Sequence, residues 1–165
     1  MSNKRRSVSR SASLSAVIAA LYAISVVSLA PVSFQPIQLR LADAMLPLTI
    51  LFGWPAVVGV TVGCLVANLF GGLGAVDVVG GSAANFVAGL LAWRIGLKRF
   101  KGAWLASVVA EVLVIALIVG SYLSVIFSIP LAVGVGSILA SNIVTIGFMG
   151  YALLRMVQRA LRLVR

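Results

Sequence analysis

Residues 35–85 read QPIQLRLADAMLPLTILFGWPAVVGVTVGCLVANLFGGLGAVDVVGGSAAN. The stretch is apolar but broken by Pro36, Pro47, Gly53-Trp54-Pro55 and the run Gly71-Gly72-Leu73-Gly74. It carries Asp43 and Asp77, two of the three acidic residues, and Arg40, which stands apart from every basic cluster. Short segments at 42–52 and 56–69 lack the ~20 apolar residues of a simple membrane-spanning helix. Irregular backbone at membrane depth is tolerated where it is buried in protein or lines a cavity. These residues therefore predict a polar site enclosed by membrane helices.

The rest of the chain reads as membrane helix with basic ends. Hydrophobic residues make up 62% of 165 and charged residues 10%, against roughly 25% charged in soluble domains. Mean hydropathy is +1.17. The expected fold is an all-α integral membrane protein with helices over about 12–29, 42–52, 56–69, 82–93, 103–127 and 131–157. In this scheme residues 1–11 and 158–165 are basic tails, and residues 12–157 form one six-helix membrane domain. Residues 31–42 suit an extended or re-entrant connection, because prolines stand at 31 and 36. Residues 70–81 suit a glycine-rich outer loop around Asp77.

The net charge of +10 falls in three groups: Lys4, Arg5, Arg6 and Arg10; Arg94, Lys98, Arg99 and Lys101; Arg155, Arg159, Arg162 and Arg165. Basic clusters at the ends of apolar runs mark cytoplasmic loops. Six crossings then place both termini and the 94–101 loop inside. Short juxtamembrane clusters favour contact with anionic lipid and argue against a nucleic-acid surface.

Catalysis has little support. Histidine is absent and Cys64 is the single cysteine, so Cys64 reads as a buried small apolar residue. No Gly-Lys-Ser/Thr follows the glycines at 71–74, so no P-loop forms there. No metal or cofactor site is expected, and the chain is not expected to be an enzyme.

An ionisable or amide side chain inside a span marks a functional site by default. Gln38, Arg40, Asp43 and Asp77 are candidates for the outward-facing wall of a pocket, against the alternative of an interfacial Arg40–Asp43 salt bridge. Glu111 lies roughly 12 Å into its helix at ~1.5 Å per residue, level with Asn142 on the last helix. A Glu111–Asn142 hydrogen bond is expected, as a structural pair or as the pocket floor. Ala16 and Ala20, and Ala19 and Ala23, repeat at four-residue spacing, which lets a helix inside or outside this chain approach closely.

Ordered motifs add a family resemblance. Gln38, Arg40, Asp43 and Ala44, then Gly59, Gly63, Cys64, Ala67 and Asn68, then Asp77, Gly81 and Ser82, resemble the queuosine precursor transporter (QueT) family over residues 14–155. That family comprises substrate-binding S components of energy-coupling factor (ECF) transporters. The resemblance implies six helices, an outward-opening pocket for a 7-deazaguanine such as queuine or preQ1, and docking to an ECF transmembrane coupling subunit and two ATPase subunits. It adds Asn68 to the candidate substrate contacts and makes Ala16, Ala19, Ala20 and Ala23 a candidate partner-docking face. The pair Ser141-Asn142 stands where the family pattern has Gly-Glu, so Glu111 is the candidate replacement for that carboxylate. Trp54, Phe34, Phe70 and Tyr122 are candidates for a slot around a flat ring. The alternatives are an S component for another vitamin-like or nucleobase ligand, or a structural membrane subunit.

Overall fold

The computed structural model describes residues 2–35, 38–98 and 100–163, and the described residues are all helix, turn and connection. The long helices are α1 (Ser2–Ser28), α4 (Trp54–Gly71), α5 (Ala75–Leu97) and α6 (Ala103–Ile126). A last composite helix joins α7 (Leu131–Asn142), a π-helical stretch (Ile143–Gly150) and α8 (Tyr151–Leu163). Between α1 and α4 lie α2 (Ala30–Ser33), a 3-10 turn (Leu41–Met45) and α3 (Leu48–Phe52). Five of these segments are long and apolar enough to cross a membrane, namely Val8–Ser28, Trp54–Gly71, Ala75–Leu97, Ala103–Ile126 and Leu131–Arg162. The molecule is a multi-pass membrane protein.

Two sequence-based boundaries change. Helix α1 begins at Ser2, so the serine-rich tail at residues 2–11 continues the first helix instead of forming a separate segment. The glycine-rich loop shrinks to Gly72-Leu73-Gly74, and Asp77 sits in the first turn of α5. Gly72 (φ 72°) and Gly74 (φ 90°) take the left-handed backbone. That conformation disfavours a Cβ, so these two end α4 and begin α5 within three residues. Gly80 and Gly81 are helical, and Gly81 serves packing beside Asn68 and Tyr122.

Close packing depends on the small residues. A Cβ on Gly63 would stand 2.8 Å from the Ala19 carbonyl oxygen. Gly59 meets Ile18 and Ser15 in the same way. Gly59 and Gly63, four residues apart on α4, therefore form the seat of α1. On the other side of the bundle, a Cβ on Gly120 would lie 2.6 Å from Val135 Cα, which sets the α6–α7 approach.

The chain runs back and forth between two ends. At one end, Ser15 Oγ donates to the Pro55 carbonyl, and Trp54, Trp93, Trp104 and Arg162 share a cleft. At the other end, Ser28 lies near Phe70 and Phe34 packs on Gly71. Residues 38–52 pass from the second end to the first as extended chain, 3-10 turn and short helix. The 41–52 part is a short apolar segment that would cover only about 18 Å as continuous helix. Arg94, Lys98, Lys101, Arg155 and Arg162 thereby gather at one end of the bundle.

Candidate substrate-binding site

The site is built on the 38–45 segment. Leu39 N–H donates to the Val32 carbonyl at 3.1 Å, and Asp43 N–H donates to the Arg40 carbonyl at 3.1 Å, starting the 3-10 turn. Arg40 stays extended (φ −96°, ψ 89°), which sends its long side chain inward. It is 5% exposed. Its guanidinium lies 5.6 Å from the Phe34 ring centroid, and Nη1 donates to Cys64 Sγ at 3.7 Å. Nε and Nη2 have no hydrogen-bond partner in the chain. The surface Arg40–Asp43 salt bridge considered as an alternative does not form: both residues are buried, and Asp43 engages other groups.

Asp43 Oδ1 accepts from the Tyr22 hydroxyl, and Tyr22 Oη accepts from Asn85 Nδ2 at 3.0 Å. This chain links α1, the 3-10 turn and α5. A second polar cluster adjoins it through Cys64, whose Sγ accepts from both Arg40 and Asn68. Tyr122 Oη donates to Asp77 Oδ1 at 2.8 Å, and Asn68 Nδ2 donates to the Asp77 carbonyl at 2.8 Å. Asp77 Oδ2 and Asn68 Oδ1 are buried without partners.

The floor differs from the expectation. Glu111 Oε1 accepts from Thr49 Oγ1 at 3.2 Å, so the expected Glu111–Asn142 hydrogen bond is replaced by a bond to α3. The reason is local. Thr49 lies on the buried side of the short helix that packs beside α5, and its hydroxyl reaches the carboxylate first. Asn142 ends α7 immediately before the π-helical stretch, and its Nδ2 has no partner. π-Helical geometry is rare and concentrates at functional sites. Here it brings Gly150 against Pro47 and the Ala44 carbonyl, joining the last helix to the turn that carries Asp43.

A small enclosed cavity of about 10 Å³ lies at the centre, room for about one water molecule. Gln38, Arg40, Asp43, Asn85, Ser141 and Asn142 form its polar side, and Ile115, Val119 and Ile138 its apolar side. Of the expected contacts, the structure brings Gln38, Arg40, Asp43 and Asn142 onto one cavity. It sets Asn68 and Asp77 in the adjoining wall. Glu111 lies one helical turn from Ile115 and does not line the cavity. Of the aromatic candidates, Phe34 and Tyr122 belong to these clusters. Trp54 stands at the other end of the bundle, and Phe70 is 73% exposed.

Sequence reasoning missed Tyr22, Asn85 and Thr49. Asn85 had a signal, since Asp77, Gly81 and Asn85 repeat every four residues and share one face of α5. Tyr22 had a weaker one, as the single aromatic side chain of α1. The partnership of Thr49 with Glu111 spans 62 residues and has no local signature.

A family model described as QueT transporter matches residues 13–159. The chain belongs to the QueT transporter family. No curated protein and no solved structure matches it. QueT membership and the apolar helices identify a membrane transporter with a small-molecule substrate.

Proposed function

We propose that the chain is the substrate-binding S component of an ECF transporter and takes up a queuosine precursor, a 7-deazaguanine such as queuine or preQ1. One observation carries the reading: buried atoms around a single cavity are left without partners on both the donor and the acceptor side. Arg40 Nε and Nη2 and Asn142 Nδ2 can donate, and Gln38 Oε1 can accept. Leaving such a group unpaired costs about 1–3 kcal/mol, so several in one place are best understood as binding groups. The pyrimidine edge of a 7-deazaguanine presents N–H donors that suit Asp43 and Gln38. Its carbonyl oxygen suits Arg40 or Asn142. Ile115, Val119 and Ile138 offer an apolar face to the flat ring, with Asn68 and Asp77 behind as the outer wall. Glu111 supports the floor through Thr49. Groups that are paired only by the right ligand discriminate strongly against the wrong one.

The cavity of about 10 Å³ is too small for a two-ring base, so entry requires the 38–47 segment and the Arg40 side chain to move. In this reading residues 38–52 are a sixth crossing, both termini face the cytoplasm, and the Gly72–Gly74 end faces outward. With no P-loop in the sequence, ATP hydrolysis belongs to two ATPase subunits acting through a transmembrane coupling subunit. Ala16 and Ala20, exposed on α1, are the docking face.

The test is mass spectrometry of small molecules co-purifying with the detergent-solubilised chain, joined to thermal unfolding with added ligands. A 7-deazaguanine should co-purify and raise the unfolding midpoint, while riboflavin, thiamine and biotin leave it unchanged. Equal response to all four classes would reject the substrate assignment. No response to any would favour a structural subunit.

A further inference from the structure

A cleft of about 820 Å³ lies at the opposite end from the Gly72–Gly74 turn, between α3, the start of α4, and the α5–α6 junction. It is lined by Trp54, Trp93 and Trp104, with Phe52, Phe100 and Arg162. The sequence contains three tryptophans, so every one of them faces this cleft. Trp54 is 48% and Phe100 49% exposed, which is a cost in water and the expected placement at a membrane interface.

The charge here is one-sided. Arg94 lies over the Trp93 ring at 5.7 Å, and Arg155 lies over Trp104 at 5.8 Å. Stacking uses the face of a guanidinium and leaves its in-plane N–H donors available. The three acidic side chains of the sequence are Asp43, Asp77 and Glu111, all buried in the polar clusters at the centre. No acidic side chain of this chain can therefore neutralise Arg94, Arg155 or Arg162.

We propose that this cleft is a binding site for one anionic phospholipid, its phosphate held by Arg94, Arg155 and Arg162 and its acyl chains on the tryptophan and Phe100 walls. Phosphate suits arginine because planar N–H pairs match its oxygens. The glycerol backbone falls at the tryptophan level, where aromatic rings sit at membrane interfaces. The site is separate from the central cavity and does not depend on which base is carried.

Tryptophan fluorescence reports this cleft alone, because no tryptophan lies elsewhere. Phosphatidylglycerol with brominated acyl chains is titrated into the full chain in detergent, with brominated phosphatidylcholine as the neutral comparison. Saturable quenching at a single phosphatidylglycerol per chain is expected, with only weak, non-saturating quenching by phosphatidylcholine. Arg94→Gln, Arg155→Gln and Arg162→Gln should each weaken it about tenfold, as for loss of one charge-assisted hydrogen bond. Arg10→Gln, an equal charge change on α1 at the same end of the bundle but outside the lining of the cleft, should leave it unchanged. Equal quenching by both lipids, equal loss in all four variants, or displacement by glycerol phosphate would each overturn the proposal. Circular dichroism of every variant separates loss of the site from loss of the fold.

Discussion

Tyr22 and Gln38 are both buried polar residues, yet their substitutions should behave in opposite ways. The Tyr22 hydroxyl connects Asp43 with Asn85, so Tyr22→Phe leaves two buried groups short of a partner. A cost of about 1–3 kcal/mol is expected, seen as a lower thermal unfolding midpoint in detergent with or without ligand. Gln38 Oε1 and Asn142 Nδ2 bond to nothing in the chain. Gln38→Ala and Asn142→Ala should therefore leave the ligand-free midpoint close to wild type and weaken 7-deazaguanine binding by about tenfold or more, measured by titration calorimetry. A fall in stability matching that of Tyr22→Phe would show that these residues hold the fold and not a ligand. Glu111→Gln gives a third pattern. Its carboxylate holds Thr49 and stands off the cavity, so binding should change less than for Asn142→Ala while the unfolding midpoint shifts.

At the level of elements, glycine contacts decide which helices approach and how far. A Cβ at Gly120 meets Val135 backbone, which cannot turn aside, whereas Gly136 has open space around it. Gly120→Ala should cost about 1–3 kcal/mol through overpacking, and Gly136→Ala should be near neutral, read in parallel by thermal unfolding. Similar midpoints for the two would contradict the tight α6–α7 seam. The α4 seat for α1 was legible in Gly59 and Gly63, because small residues four apart have one main use in a membrane helix. The loop around Asp77 was misread for a related reason. Glycines 71, 72, 74, 80 and 81 look alike in sequence, yet only Gly72 and Gly74 have positive φ, and that is decided by where α4 and α5 meet. The polar residues of the site were mostly legible because an ionisable or amide group is conspicuous in an apolar chain. Their pairings were not, since Glu111–Thr49 and Tyr22–Asp43 depend on how a short 3-10 turn and α3 fold into the bundle.

For the whole molecule, the proposed role as an S component asks the chain to fold alone and to dock reversibly, and α1 would separate these demands by face. Ala19 and Ala23 are half-buried beside α4, and the Ala19 backbone is in contact with the Gly63 position. Ala16 and Ala20 are exposed together with Val17, Leu21 and Ile24, which are 56%, 53% and 63% accessible. Such an apolar stripe is ordinary against lipid, and the small residues within it let a second helix come close. Ala20→Leu adds bulk on the exposed face only. It should leave the unfolding midpoint and 7-deazaguanine binding of the isolated chain intact while abolishing co-purification with the coupling subunit and ATP-dependent uptake in vesicles. Ala19→Leu drives the same bulk into the α1–α4 seam, where overpacking costs about 1–3 kcal/mol. It should lower the midpoint and weaken substrate binding, because α1 carries Tyr22 to Asp43. If Ala20→Leu instead destabilises the isolated chain as much as Ala19→Leu, the exposed face is part of the fold, and the docking surface must be sought elsewhere on the bundle.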